Sequence, residues 1–174
     1  TVFFLPLTIS LGFWQLDRAD QKQQLEASLS ALEQPITLTQ GQDLLVGSLK
    51  NLQRVTLNSR FIKPFIWFKD NQVVKGKVGY DAVGLISLGT DLLLVNRGWF
   101  ASYGQRNPLP TIDWIDGEVS LTGRLVNVQA NPYQLGADVY TDQYPQLVQS
   151  ITPPEMADHL KASIGGALLP WVLM

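Results

Sequence analysis

The first sixteen residues, Thr1–Leu16, contain no charged side chain and are mostly apolar. Sixteen helical residues span about 24 Å, whereas a bilayer core needs about 20 residues. Trp14 stands near the end of this run and is followed by Asp17 and Arg18, an order that is typical of a membrane interface. The pattern predicts a truncated transmembrane anchor over residues 1–18. A signal peptide and a buried helix stay open as alternatives.

Leucines continue a helical pattern beyond these charges. Leu25, Leu29 and Leu32 recur at spacings of four and three, and Pro35 ends the run. Residues 19–34 are therefore predicted to form an amphipathic helical extension. Its apolar face either packs on the domain that follows or stays available to bind in a partner's groove.

The rest of the chain changes to short apolar runs that are separated by turn residues. Residues 54–61 alternate between apolar and polar side chains, which predicts a half-buried strand. Pro64 is expected to end this strand, and Asp70–Asn71 is expected to form a turn. The uninterrupted apolar run Leu92–Val95, which Asn96 follows, predicts a strand that is covered on both faces.

Residues 35–174 are therefore predicted to form a β-rich extramembrane domain. The spacing of roughly seven to nine short strands predicts a mainly β (α+β) class, as a small antiparallel barrel or sandwich. Thr152, two prolines and Glu155 predict the start of one short late helix, which runs to about Ser163.

Composition narrows the classes of function. The formal net charge of −2 is too small, and of the wrong sign, for a nucleic-acid-binding protein. The lack of cysteine excludes disulfides, thiolate catalysis and cysteine metal sites in this segment. Charged residues make up only 16% of the chain, which fits contact with lipid or with a partner. The chain starts without Met and stops inside an apolar run, so we expect it to be a fragment of a longer protein.

Few residues could carry catalysis. His159 is the one histidine, and the chain has no G-x-S-x-G elbow, P-loop or G-x-G-x-x-G motif. Asp138 and Asp142 are the one close pair of acids in the late loops, and we interpret them as solvated loop residues. His159 is interpreted as a surface or capping residue. The sequence thus predicts no catalytic residue, no metal site and no enzyme activity.

The most informative segment is Val95–Phe100, where a buried strand ends in Asn, Arg, Gly and two aromatic residues. Arg97 offers five donors in a fixed geometry, and Gly98 permits a positive φ or a close approach. Two interpretations stay open. Either Arg97 pins a loop while Trp99 covers the core, or the segment contacts an anionic group or a partner protein.

Leu11–Arg18 reads LGFWQLDR and is followed by Lys22, and Leu94–Trp99 reads LVNRGW. These stretches resemble the two signature blocks of the surfeit-locus (SURF-type) family of cytochrome c oxidase assembly factors. Weaker matches follow the family's order at Gly117–Arg124 and Pro170–Val172. The positions that the resemblance marks as motif residues and as expected partner contacts are Gly12, Trp14, Gln15, Arg18, Lys22, Gly79, Tyr80, Asn96, Arg97, Gly98 and Trp99.

The resemblance implies a two-helix membrane protein that acts as an assembly factor or chaperone for cytochrome c oxidase. Such a protein helps haem a insertion or stabilises the catalytic subunit during cofactor insertion, so that subunit and membrane lipid are the expected partners, with no nucleic acid. No cofactor-binding residue is assigned in this segment, because the resemblance places haem a at a second helix, expected after residue 174. The expected location is the bacterial inner membrane with a periplasmic domain, or the mitochondrial inner membrane. The alternative function is a generic membrane-anchored β-barrel adaptor that binds a peptide or a lipid.

Overall fold

A computed structural model describes residues 4–39, 49–102, 108–128, 136 and 138–174. The chain divides into two compact units, Thr1–Gln34 and Pro35–Met174. Across the described residues there are two helices and seven strands, which confirms the predicted mainly β class. In chain order they are α1 (Phe4–Glu33), β1 (Ile36–Leu38), β2 (Arg54–Val74), β3 (Lys77–Leu88), β4 (Asp91–Ala101), β5 (Val119–Val126), β6 (Gln146–Val148), α2 (Pro153–Ile164) and β7 (Leu168–Leu173).

Helix α1 is continuous from the uncharged run into the charged extension, as the absence of proline between Leu7 and Leu32 predicts. No helix among the described residues is both long enough and apolar enough to cross a membrane. The predicted transmembrane anchor over residues 1–18 is therefore not supported. Within the described part of α1, polar Thr8, Ser10 and Gln15 lie among the apolar residues, and the helix continues directly into Asp17 and Arg18.

The extension of α1 carries polar pairs that lie one turn apart. Gln21 donates a hydrogen bond of 2.9 Å to Asp17, and Lys22 Nζ lies 3.8 Å from a carboxylate oxygen of Glu26. Each such pair stabilises a helix by only about 0.2–0.5 kcal/mol. The side chains of Leu25 and Leu29 lie outside the described part of the chain, so the apolar docking face stays a prediction.

The seven described strands form one sheet in the order β1-β2-β3-β4-β7-β5, with β6 beside β2 and an additional pairing of β2 with β5. The sheet folds back on itself where β2 meets β5, but it is not a closed barrel of continuously paired strands. The antiparallel prediction holds for most pairings and is wrong for three: β1 with β2, β2 with β6, and β4 with β7 are parallel. These pairings join segments that are distant in sequence, and a strand's own pattern carries no sign of its partner's direction.

Strand β2 is longer than its sequence predicts. The expected break at Pro64 is wrong, because a register shift between Phe61 and Ile66 leaves this part of the strand outside the ladder with β3. Proline, which cannot donate to a ladder, is tolerated at such irregularities. The turn expected at Asp70–Asn71 is a second irregularity in β2. The chain reverses later, at Lys75–Gly76, where φ values of 50° and 75° fit a two-residue hairpin turn.

Strand β4 confirms the prediction of a central strand. It lies between β3 and β7, and Leu92, Leu93, Leu94 and Val95 are at most 5% exposed. Leu93 and Val95 pack into one apolar cluster, while Leu92 and Leu94 pack into a second cluster on the other face. Helix α2 covers the second cluster, to which it contributes Met156 and Leu160.

We predict that Leu93→Ala lowers the free energy of unfolding by about 2–5 kcal/mol, because the substitution leaves a cavity in a close-packed cluster. Ile115→Ala removes an apolar side chain that is 51% exposed, so it should change stability by less than about 0.5 kcal/mol. Urea unfolding followed by tryptophan fluorescence measures both. Equal stability of the two variants would contradict the assignment of β4 to the core.

Candidate functional site

The Asn-Arg-Gly segment forms a β-bulge in β4. Ala82 of β3 pairs with Gly98 and Val83 pairs with Asn96, so Arg97 is an extra residue without a partner on β3. The Asn96 side chain stabilises the bulge, because its Oδ1 accepts a hydrogen bond of 2.7 Å from the Gly98 backbone N–H. Gly98 has a φ of +109°, a conformation that is open to glycine and strained for other residues.

After the bulge, each side chain of β4 lies on the opposite face of the sheet from the one that regular alternation would give it. Without it, strict alternation would place residue 99 on the same face as Leu93 and Val95. With it, Phe100 pairs opposite Tyr80 and packs edge-on against Phe68, with ring centroids 5.9 Å apart. Trp99 therefore lies on the opposite face, in register with Asp81.

Trp99 joins β4 to the base of the β2–β3 hairpin. Its indole Nε1 donates a hydrogen bond of 3.0 Å to the Gln72 backbone carbonyl. Its ring occupies the space above Gly79, where an added Cβ would lie 2.5 Å from ring carbons. A glycine at position 79 is thus required for the close approach of the Trp99 ring to β3, and Trp99 and Gly79 pack as a pair.

Tyr80 belongs to the core. It is 2% exposed, its ring lies 5.9 Å from that of Phe68, and its hydroxyl is 3.3 Å from Ser102 Oγ. The motif residues Gly79, Tyr80 and 96–99 therefore meet in one region, on the neighbouring strands β3 and β4. The structure gives Tyr80 a packing role, and its assignment as a partner contact stays a prediction.

Arg97 lies between two aromatic rings. Its guanidinium carbon is 4.6 Å from the Phe61 ring centroid and 5.3 Å from that of Trp114, and its Nη2 donates a 2.6 Å hydrogen bond to the Asp113 backbone carbonyl. Burial lowers the pKa of Arg97, and the Asp113 carboxylate partly offsets this effect. Arg97 therefore pins the segment before β5 to the sheet, as the first of its two interpretations expects.

A second atom of the same side chain lacks a partner. Arg97 Nη1 is buried and has no hydrogen bond within the described residues. A buried charged donor in this state is energetically unfavourable, so it calls for a structural or functional explanation. Arg97 thus combines a structural role with an unused donor.

A surface of mixed cationic and aromatic character surrounds Arg97. We name it the Trp114 surface, consisting of Phe61, Lys63, Arg97 and Trp114. Lys63 Nζ lies 5.9 Å from the Trp114 ring centroid and 2.6 Å from Asp116 Oδ1. Next to Trp114 is an open cavity of about 250 Å³, lined mainly by apolar residues. The lining residues are Pro64, Ile66, Leu109, Pro110, Thr111, Ile112, Trp114, Tyr144 and Pro145.

The remaining motif residues lie on α1, in the first compact unit. Trp14 is 51% exposed, and the Arg18 guanidinium lies 5.6 Å from its ring centroid. Gly12 and Gln15 are exposed, and an added Cβ at Gly12 would meet nothing within 4 Å. Their expected role as partner contacts, like that of Lys22, stays a prediction.

His159 is more enclosed than a simple surface residue. Its side chain is 21% exposed, its ring stacks on Tyr140 at 6.0 Å, and its Nε2 lies 3.3 Å from the Tyr144 hydroxyl and 3.8 Å from Asp142. Burial, followed by the Asp142 charge, raises the pKa of Tyr144 to about 12. An open cavity of about 520 Å³ lies beside this cluster. Sequence reasoning did not predict this cluster around His159, because no local sequence pattern links residues 140–144 to α2.

Asp138 also differs from its interpretation as a solvated residue. Its two carboxylate oxygens accept hydrogen bonds from the backbone N–H groups of Gln149 and Ser150, at 2.9 and 3.1 Å. The residue therefore holds the segment between β6 and α2. Asp142 is 89% exposed, as a solvated loop residue should be.

A model of the SURF1 family matches residues 2–174. No protein of known, curated function matches the chain. The family match spans both compact units and includes both motif stretches, so it confirms the resemblance that those stretches indicate.

We predict that Gly79→Ala lowers the free energy of unfolding by about 1–3 kcal/mol, because the new methyl group overpacks against the Phe100 backbone carbonyl and the Trp99 ring. Gly12→Ala is the matched control: it lies in a helix with open space around it, so it should be neutral or stabilise by up to about 1 kcal/mol. Urea unfolding compares the two. A Gly79→Ala protein as stable as the parent would disprove the close approach.

Proposed function

The chain belongs to the SURF1 family, and we propose that it acts as an assembly factor for cytochrome c oxidase. Membership is consistent with a role in oxidase assembly. Within that role, we propose that the chain holds the oxidase catalytic subunit in a state that accepts its cofactors. Direct delivery of haem a is the competing route, and a generic adaptor for a peptide or lipid is the competing function.

The observation that carries the proposal is the arrangement of the Trp114 surface. Arg97 and Lys63 both lie over the Trp114 ring, so a large aromatic side chain is flanked by two positive charges. Arg and Trp are the residue types that most often dominate binding energy at interfaces. The unused Nη1 donor of Arg97 supports a contact with a carboxylate or carbonyl of the partner after a small side-chain movement.

The cavity beside Trp114 supports the same partner class. Its volume of about 250 Å³ and its apolar lining suit one large apolar side chain. A polypeptide that presents an apolar side chain next to an acidic one would fill the cavity and reach the cations together. This arrangement favours a protein partner, and the oxidase catalytic subunit is the partner we propose.

We propose that the protein acts without catalytic turnover. A hydrolytic mechanism needs a base beside a nucleophile. Ser163 Oγ donates to the backbone carbonyl of His159, at 3.0 Å, rather than to its ring. The His159 ring is instead engaged by Tyr140 and Tyr144.

The surroundings of His159, the one histidine of the chain, do not suit haem a. An imidazole that ligates haem iron needs a free nitrogen, and haem needs a largely apolar pocket. His159 already contacts the Tyr144 hydroxyl, and the cavity beside it is open and lined by Thr141, Asp142 and Ser163 as well as His159. No haem ligand is therefore assigned in this chain, and the proposal contains no step on haem.

We propose that the protein acts at the inner membrane of a bacterium, with Pro35–Met174 on the periplasmic side. The mitochondrial inner membrane is the alternative location. The support is the family relationship, since the oxidase is assembled in that membrane. Fractionation of cells, with protease added from the periplasmic side, tests the location: protection of Pro35–Met174 in intact spheroplasts would contradict it.

We predict that Arg97→Ala weakens binding to the detergent-solubilised catalytic subunit by about 30-fold, the loss that marks a residue dominating the binding energy of an interface. Lys63→Gln, an exposed change that should fold normally, should weaken binding to a smaller extent. Arg60→Ala is the matched control, because Arg60 is an exposed arginine on the same strand as Lys63. The affinity of each of the three purified variants for the immobilised catalytic subunit is measured by surface plasmon resonance.

The corresponding test in cells uses membranes from strains that carry each variant. The amount of this protein and the haem a content of the oxidase are measured in one preparation. We expect Arg97→Ala to lower oxidase haem a content by a larger factor than it lowers the amount of this protein, whose segment before β5 Arg97 also holds. Normal oxidase in that strain, or an equal loss with Arg60→Ala, would contradict the proposed function.

A further inference from the structure

The β2–β3 hairpin ends in a tip that exposes apolar side chains. We name residues 73–78 the hairpin tip. Val73 is 64% exposed, Val74 is 41% exposed and Val78 is 50% exposed. Val73 and Val78 pair across the hairpin and so share one face, whereas Val74 pairs with Lys77 on the other. The tip is therefore apolar on both faces.

The charge of the hairpin tip is positive, although that of the whole chain is −2. Lys75 and Lys77 are exposed, and residues 73–78 contain no acidic side chain. Lys75 forms the turn with Gly76, where both residues have positive φ. At the base of the hairpin, Lys69 pairs in register with Asp81, so the excess positive charge is confined to the tip.

We propose that the hairpin tip inserts into the headgroup region of an anionic lipid membrane. The three valines would enter the boundary between headgroups and acyl chains, and the two lysines would contact lipid phosphates. Peripheral membrane segments combine apolar and basic residues in this way, and lysine stems extend along apolar surface while the ammonium group reaches polar surroundings. The proposal goes beyond the role in oxidase assembly and does not depend on it.

The two-sided exposure of valine favours a membrane over a protein partner. A groove on a protein covers one face of a strand and leaves the other in water. A lipid interface surrounds the whole tip, so it accommodates Val73 and Val78 on one face and Val74 on the other. The basic charge adds about 1 kcal/mol of attraction per lysine near an anionic leaflet.

The motif residues supply the rigidity that insertion needs. Trp99 donates a hydrogen bond to the Gln72 carbonyl and packs on Gly79. Gln72 and Gly79 pair with each other across the hairpin, directly below the tip. The tip therefore extends from a braced base on the core sheet. This gives Trp99 and Gly79 a role in presenting the hairpin tip.

The absence of cysteine from the chain allows a site-specific test. A Val73→Cys variant of the whole chain is labelled with an environment-sensitive fluorophore and mixed with vesicles of phosphatidylcholine and phosphatidylglycerol. We expect a blue shift with these vesicles, none with pure phosphatidylcholine, and a loss of the shift at high salt, which screens the charges. The control label is at Val139→Cys, since Val139 is 81% exposed elsewhere on the chain.

Charge and apolar contributions are separated by variants in the labelled background. The pair K75Q/K77Q should weaken vesicle binding, followed by the label, by about 30-fold. The pair K50Q/K161Q removes the same charge from exposed positions outside the tip and should change binding little. Val78→Thr keeps the branched shape but replaces one methyl group with a hydroxyl, and should also weaken vesicle binding.

Several outcomes would overturn the proposal. One is an unchanged label at position 73, and another is an equal shift at position 139. An equal effect of K50Q/K161Q would assign the binding to net charge alone. A shift without vesicles that grows with protein concentration would identify a second copy of the chain as the occupant. None of these measurements involves the oxidase, so failure here leaves the proposed assembly role to be judged by its own test.

Discussion

The bulge at Arg97 in β4 is the constraint on which the rest of the site depends. One extra residue lets Phe100 join the buried aromatic residues Tyr80 and Phe68 and turns Trp99 to the other face, above Gly79. It also places Arg97 between Phe61 and Trp114. Asn96 and Gly98 are the residues that make the bulge possible, by a side-chain hydrogen bond and a positive φ. The Asn-Arg-Gly-Trp sequence thus has a single structural explanation.

Periodicity predicts the parts of this fold that depend on local pattern. The apolar run at Leu92–Val95 and the helix signal at Thr152–Glu155 both correspond to elements of the structure. Period-two alternation carries no sign of a bulge, so the positions of Arg97 and Trp99 could not be predicted, although Gly98 suggested an irregular backbone. The strand break predicted at Pro64 was wrong, because the effect of a proline depends on whether that part of the strand is hydrogen-bonded to a neighbouring strand. Only the tertiary structure decides this. The parallel pairings and the enclosure of His159 likewise arise from contacts between distant segments.

The bulge connects the two proposals made for this member of the SURF1 family. Through Arg97 it builds the Trp114 surface, where two cations flank an aromatic ring beside an apolar cavity. Through Trp99 it braces the hairpin whose tip exposes valine and lysine. A protein that holds a membrane subunit during assembly benefits from both contacts, because membrane attachment raises the effective concentration of the partner surface.

Trp99, placed by the bulge, fixes the β2–β3 hairpin to β4 through its bond to the Gln72 carbonyl. Amide hydrogen exchange in a Trp99→Phe variant tests it most directly, because phenylalanine keeps an aromatic ring but lacks the indole donor to Gln72. We expect faster exchange at the base of the hairpin, in residues 70–72 and 79–81, with unchanged protection of Leu92–Val95 in the core. Unchanged exchange at the hairpin base, or an equal loss of protection throughout the sheet, would contradict it.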